Sequence, residues 1–84
     1  MELDLLRDEI DQIDDRISAL FEQRMALVEK IADQKKETGT AVSDPAREQS
    51  VLNRICCGRR FAPQLRCLYD AIFKISRAYQ ENRR

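Results

Sequence analysis

The chain has 84 residues, of which 15 are basic and 15 acidic, with no histidine, no tryptophan, two glycines and two prolines. This length allows one domain, and so few turn formers disfavour β-sandwiches and barrels. The missing histidine excludes a Ser-His-Asp triad and a histidine-ligated metal site, the balanced charge argues against nucleic-acid binding, and no apolar run reaches the ~18 residues of a membrane span.

The first predicted element is one long helix over residues 3–38, because neither glycine nor proline interrupts the chain from Leu3 to Lys36. Large apolar residues recur there in steps of three, four or seven, at Leu6, Ile10, Ile13, Ile17, Leu20, Leu27 and Ile31. This is a heptad pattern, and its one missing step falls on Arg24. Gly39 provides the stop. A helix of this length spans about 50 Å.

Two shorter helices follow a loop at residues 39–44. Asp44 and Pro45 form a start signal, with aspartate as N-cap and proline at the first helical position. They predict a second helix over residues 45–57, with an apolar face formed by Val51, Leu52, Ile55 and Cys56. Pro63 opens a third helix over residues 63–81, with apolar residues at Leu65, Leu68, Ile72, Ile75 and Tyr79. We therefore predict an all-α fold and a single three-helix domain over residues 1–84.

The long helix predicts a second copy of the chain. It exceeds the size of a compact 84-residue domain, whose radius of gyration should be ~12 Å. The shorter helices cannot cover its apolar stripe. Chains this small usually need additional stabilisation from disulfides, a metal or oligomerisation, and of these only oligomerisation remains. We expect an intertwined homodimer in which the long helices pack antiparallel. The alternative is a monomer whose long helix breaks near Arg24.

The charges are distributed unevenly along the chain. Residues 1–42 contain 6 basic and 11 acidic side chains, whereas residues 43–84 contain 9 basic and 4 acidic ones. This asymmetry fits halves that pack on one another, within a chain or between two copies. Drift in surface charge explains it equally well.

The three cysteines and the first residues of the chain bear on the cellular location of the protein. Cys56, Cys57 and Cys67 are odd in number and contain no C-x-x-C pair. Adjacent residues on a helix point about 100° apart, so Cys56 and Cys57 suit a disulfide poorly. Met1 is followed at once by acidic residues rather than by a targeting segment. We expect three reduced packing residues in a cytoplasmic protein.

Three cations on the long helix suggest an anion site. Arg24 and Lys35 are eleven residues apart, so they share a face and lie ~16 Å apart along the axis. Their side chains could converge on a small anion. Arg7 lies ~25 Å before Arg24 and can join such a site only from the partner of an antiparallel dimer. A buried ion pair would also explain Arg24, and a solvated helix end would explain Lys35.

Three further polar residues lean toward the predicted core. Glu48 precedes Leu52 by one turn, and Ser76 and Gln80 form an i, i+4 pair beside the apolar face of the third helix. Each alone is typical of a tolerated edge residue. Together with the cations they describe a polar pocket without a paired nucleophile, metal cluster or glycine-rich phosphate loop. Such a pocket suits anion binding, or a reaction that needs only positioning and electrostatics.

Three motifs in order carry a family resemblance. The first motif, L-x-x-x-R-x-x-I-x-x-I-D-x-x-I-x-x-L-x-x-x-R, begins at Leu3. The second, V-x-D-P-x-R-E, ends at Glu48, and the third, I-x-x-x-S-x-x-x-Q, ends at Gln80. Over about residues 3–82 the chain resembles the all-α, AroQ-class chorismate mutases. The resemblance implies an intertwined dimer with active sites shared between chains. It also implies the Claisen rearrangement of chorismate to prephenate in phenylalanine and tyrosine biosynthesis, with no metal and no cofactor.

The resemblance further implies roles at matching positions around the two carboxylates and the ether oxygen of chorismate. Arg7 would reach a substrate carboxylate from the partner chain, and Arg24 would hold a carboxylate in bidentate fashion. Lys35 would contact the ether oxygen and a carboxylate. Gln80 would donate a second hydrogen bond to the ether oxygen.

At the other end of the substrate, Glu48 would hold the ring hydroxyl, helped by the region of Asp44. Ser76 would contact the ring carboxylate, and Arg47 would support the site. The departures from the family pattern lie elsewhere, in a short link between the second and third helices and in the unusual Cys56-Cys57 pair.

Three other functions compete with this prediction. An isochorismate-pyruvate lyase on the same scaffold would bind a similar dianion and release pyruvate and salicylate. A non-catalytic dimerisation or regulatory module need not keep the full set of polar motif residues. A plain antiparallel coiled-coil adaptor would leave Arg24, Lys35 and Glu48 unexplained.

Overall fold

The computed structural model describes residues 1–84 as three α-helices without a β-strand. Helix α1 is Glu2–Thr38, α2 is Pro45–Cys56 and α3 is Ala62–Asn82. The all-α prediction is confirmed, and each predicted helix end lies within one residue of the observed one. None of the three helices combines the length with the apolar character that a membrane-spanning helix requires.

Helix α1 runs through Arg24 without interruption for 37 residues, so the break considered for a monomer is not present. Acidic residues in its first turn and Lys35 and Lys36 in its last turn complement the helix dipole. The helix ends because Gly39 adopts the left-handed conformation at φ 70°, ψ 18°. The N–H of Gly39 then bonds the carbonyl oxygens of Lys35 and Lys36.

Helix α2 begins as the sequence predicts. The Asp44 carboxylate accepts a hydrogen bond of 3.1 Å from the backbone N–H of Arg47, and Pro45 occupies the first turn. This cap fixes the direction in which the first turn of α2 leaves the loop. Asp44, Arg47 and Glu48 consequently line one cavity together with Lys35 at the end of α1.

The core lies between α2, α3 and the second half of α1. Its central cluster consists of Val51, Leu52, Cys56 and Phe73, and α1 contributes the buried Val28 and Ala32. The predicted apolar face of α2 is thereby confirmed, with Ile55 partly buried against the cluster. Only nine of 84 residues are buried, which is a small core for a chain of this length.

The inward face of α3 agrees with the prediction only in part. The buried residues of this helix are Phe73, Ser76 and Gln80, whereas Leu68 and Ile75 stay about half exposed. The inward lean predicted for Ser76 and Gln80 is confirmed, because both residues are buried. The apolar pattern omitted Phe73, which is the one buried apolar residue of this helix.

All three cysteines are free, as predicted. Cys56 is buried in the core cluster and is the packing residue that we expected. Cys57 and Cys67 are exposed, so their prediction as packing residues is wrong for the single chain. Cys57 is the residue that follows the last turn of α2.

The first half of α1 projects from the rest of the molecule. Every residue from Met1 to Leu20 is exposed, and the molecule measures 55 × 25 × 15 Å. We call the heptad residues of α1 the apolar seam: Leu6, Ile10, Ile13, Ile17, Leu20, Leu27 and Ile31. Their side chains are between 48% and 61% exposed. No helix of the same chain covers the seam.

A polar network joins the ends of α1 and α3 on the outer surface. Arg83 binds the two oxygens of Asp33 at 2.9 and 3.1 Å, and Tyr79 donates to Glu29 at 2.7 Å. The hydrogen bond between Arg83 and Asp33 lowers the pKa of Asp33 and raises the pKa of Arg83. The hydrogen bond to Glu29 raises the pKa of Tyr79. This network holds the last turns of α3 against α1.

Candidate active site

A cavity of about 490 Å³ opens between the second half of α1, the start of α2 and the end of α3. Its walls contain seven of the eight predicted substrate contacts: Arg24, Lys35, Asp44, Arg47, Glu48, Ser76 and Gln80. The eighth, Arg7, is exposed on the projecting half of α1 and lies outside this cavity. Three helices thus bring together residues that are up to 56 positions apart in sequence.

Arg24 is held from two sides. Its Nη1 donates a hydrogen bond of 3.0 Å to the Ser76 hydroxyl, and its guanidinium lies 5.9 Å from the centre of the Phe73 ring. The Ser76 hydroxyl donates in turn to the carbonyl oxygen of Ile72 at 2.8 Å. Arg24 forms no ion pair within the chain, so the buried ion pair considered for it is not present there.

Lys35 extends into the same cavity from the last turn of α1. Its Nζ donates to the carbonyl oxygen of Val42 at 2.8 Å, so the loop after α1 fixes the ammonium group. Two of the three N–H bonds of the ammonium remain available to a ligand. Lys35 is half-buried on the cavity wall and is therefore not the solvated helix end considered above.

Glu48 forms an ion pair that the sequence did not predict. Nη1 of Arg77 lies 2.6 Å from one oxygen of the Glu48 carboxylate and 2.5 Å from the other. Arg77 itself lines the cavity. In the sequence it is one of many arginines in the second half of the chain, and no local signal marks it. Its pairing depends on the way α3 packs on α2.

Gln80 presents an open hydrogen-bonding group. The side chain is only 7% exposed, and its Oε1 atom has no hydrogen-bond partner in the chain. Buried polar atoms are nearly always hydrogen-bonded, and an orphan on a cavity wall indicates a place where a ligand can bind. Its amide also carries two N–H donors.

The cavity is more positive than the molecule. The chain has no net charge, but the cavity walls carry four cationic and two acidic side chains, which leaves two positive charges. The cations are Arg24, Lys35, Arg47 and Arg77. Because opposite charges attract more strongly in a partly dry cavity than in water, this arrangement suits a small dianion. Donors fixed on several walls can also orient a flexible ligand and stabilise negative charge that develops on it.

Comparison with known proteins agrees with this geometry. The family model "Chorismate mutase type II" matches residues 6–81, nearly the whole chain. A chorismate mutase of Methanocaldococcus jannaschii is 36% identical over 50 residues, which are 60% of this chain and 50% of the relative. The matched part of the chain thus spans about half the length of this curated relative.

The orphan oxygen of Gln80 predicts a gain in stability on substitution. Gln80→Met keeps the length of the side chain and removes the unpaired acceptor, so the free energy of unfolding should rise by about 1 kcal/mol. Urea unfolding at a fixed protein concentration measures this change. Gln34→Met, on the exposed surface of α1, is the control and should change stability by less than about 0.5 kcal/mol. A loss of stability in Gln80→Met alone would contradict the prediction.

Proposed function

The chain belongs to the chorismate mutase type II family, and on that premise we propose that it catalyses the rearrangement of chorismate to prephenate. The observation that carries the proposal is the cavity, with its two excess positive charges and its donors on three helices. Chorismate is a dianion with two carboxylates, an ether oxygen and a ring hydroxyl. The reaction serves the biosynthesis of phenylalanine and tyrosine.

The rearrangement takes place within one molecule. The ether C–O bond breaks while a C–C bond forms between the side chain and the ring, so no nucleophile, oxidant or proton shuttle takes part. In our proposal Arg24 holds one carboxylate, which selects the folded conformer in which the two carbons meet. Ser76 anchors Arg24 and contributes polar contact near the ring carboxylate.

Negative charge grows on the ether oxygen as its bond breaks, and we assign its stabilisation to Lys35 and Gln80. The ammonium of Lys35 is held in place by Val42, so little reorganisation is needed at the moment of reaction. The Gln80 amide donates a second hydrogen bond to this oxygen. Glu48 accepts a hydrogen bond from the ring hydroxyl. Asp44 and Arg47, at the start of α2, support this part of the site.

A second copy completes the site in this proposal. The uncovered apolar seam supports an antiparallel dimer, since a continuous exposed apolar surface is typical of an interaction site. With the two-fold axis near Ile17 or Ser18, Arg7 of one chain would come between Arg24 and Lys35 of the other. Each site would then contain residues of both chains.

We further propose that residues 1–84 form one catalytic domain and work in the cytoplasm. Three free thiols suit a reducing compartment, in which they stay free. The core cluster joins α2 to α3, and α3 also packs on α1, which supports the treatment of all three helices as one folding unit.

Product identification tests the activity. Purified protein is offered chorismate and isochorismate separately, and we expect chorismate to be consumed with prephenate as the sole product. Pyruvate and salicylate from isochorismate would instead show a lyase. Consumption of neither substrate would overturn the enzyme proposal and favour a non-catalytic module.

Lys35→Ala should lower kcat/KM for chorismate by about a thousandfold, because the ether oxygen loses its principal cation. Helix content measured by circular dichroism should stay unchanged. Lys36→Ala removes the same charge from the neighbouring, exposed position and should keep near-normal activity. Near-normal turnover by Lys35→Ala would refute the role assigned to this residue.

Complementation tests the shared site. Arg7→Ala and Arg24→Ala are each expected to be inactive, but a hybrid dimer would hold one intact site. An equimolar mixture after subunit exchange should regain about a quarter of the wild-type activity. A mixture of Arg24→Ala with Lys35→Ala should regain none, because both residues belong to the same chain's part of the site. If mass spectrometry detects hybrids of the first pair without activity, the site is not shared.

A further inference from the structure

The ion pair between Glu48 and Arg77 is the only one on the cavity wall. It joins α2 to α3, with side-chain exposures of 25% for Glu48 and 36% for Arg77. One nitrogen of Arg77 donates to both carboxylate oxygens of Glu48, and neither side chain forms another hydrogen bond in the molecule. Both residues also line a second cavity of about 380 Å³, together with Asp70 and Lys74. The pair therefore separates two cavities.

A carboxylate is an unexpected wall residue in a cavity that suits a dianion. Without Arg77, Glu48 would present an unpaired negative charge to the ligand, and such a charge is costly when it is partly buried. Pairing leaves part of the carboxylate free, because two carboxylate oxygens offer about four lone-pair sites. A neutral hydroxyl can donate to the free lone pairs, whereas an anionic group cannot.

We propose that Arg77 is a positioning residue that orients Glu48 and offsets its charge, so that Glu48 accepts a hydrogen bond from a hydroxyl of an otherwise anionic substrate. This inference rests on the proposed function. It adds a residue that makes one end of the cavity favour a substrate with a hydroxyl group at that position. Arg77 acts through Glu48 rather than on the reacting atoms. Its effect should thus be the same in the ground state and the transition state.

The primary test is Arg77→Met, which keeps the length of the stem and removes the charge. We expect KM for chorismate to rise about tenfold, as for the loss of one charged hydrogen bond, while kcat changes less than about twofold. Arg77→Lys restores the charge and should recover most of the lost affinity. A KM within twofold of the wild type for Arg77→Met would overturn the proposal.

A double-mutant cycle distinguishes action through Glu48 from direct contact. In a Glu48→Gln background there is no carboxylate to offset, so adding Arg77→Met should raise KM less than about threefold. A full tenfold rise in that background would mean that Arg77 binds the substrate itself, and would overturn the proposal.

Arg83→Met is the structural control. It breaks a comparable ion pair of α3, with Asp33, outside the cavity. We expect a lower melting temperature with unchanged KM; an equal rise in KM would show that helix docking, and not Glu48, explains the effect of Arg77→Met.

Binding of prephenate, measured by titration calorimetry, separates this inference from the proposed function. If the wild-type protein binds prephenate without converting chorismate, the proposed catalysis fails, and the affinities of the same variants still test Arg77. If the wild type converts chorismate and Arg77→Met matches it in both KM and prephenate affinity, only the Arg77 inference fails.

Discussion

The mismatch in length between α1 and the other two helices determines the rest of the molecule. Helix α1 has 37 residues, whereas α2 has 12 and α3 has 21. Helix α3 packs on the second half of α1, and α2 packs on α3. The polar cavity opens where the three helices meet. The first half keeps its apolar seam exposed. Site and seam are thus two results of one arrangement.

The cavity occupies space that a more stable protein of this size would fill with apolar side chains. Ser76 and Gln80 hold inward positions of α3, where Leu or Ile would bury more apolar surface. The positive charges on the walls also repel one another. Such costs are typical of functional sites, where a strained or open arrangement is retained because a ligand completes it. The small core makes this cost a large share of the total stability.

Local features of the sequence predicted the helices and most of the site. Helix periodicity, the Asp44-Pro45 start and the Gly39 stop depend on neighbours in the chain, and so the helix ends agree within one residue. Seven motif residues converge because they lie on the faces of three well-predicted helices. The burial of Phe73 and the pairing of Arg77 with Glu48 depend on how helices rotate and pack against each other. No local pattern records that rotation, so these two features could not be predicted.

The continuity of α1 makes its length a functional quantity. Arg7 and Lys35 stand on one rigid rod, about 42 Å apart along its axis, and in the proposed dimer they serve different active sites. Inserting or deleting one residue between them would rotate one end by about 100° relative to the other and move both sites out of register. A substitution on the solvent side of this helix leaves the relative positions of the two sites unchanged, whereas an insertion shifts them along the whole helix. Evolution can therefore vary the residues of α1 far more freely than the length of the helix.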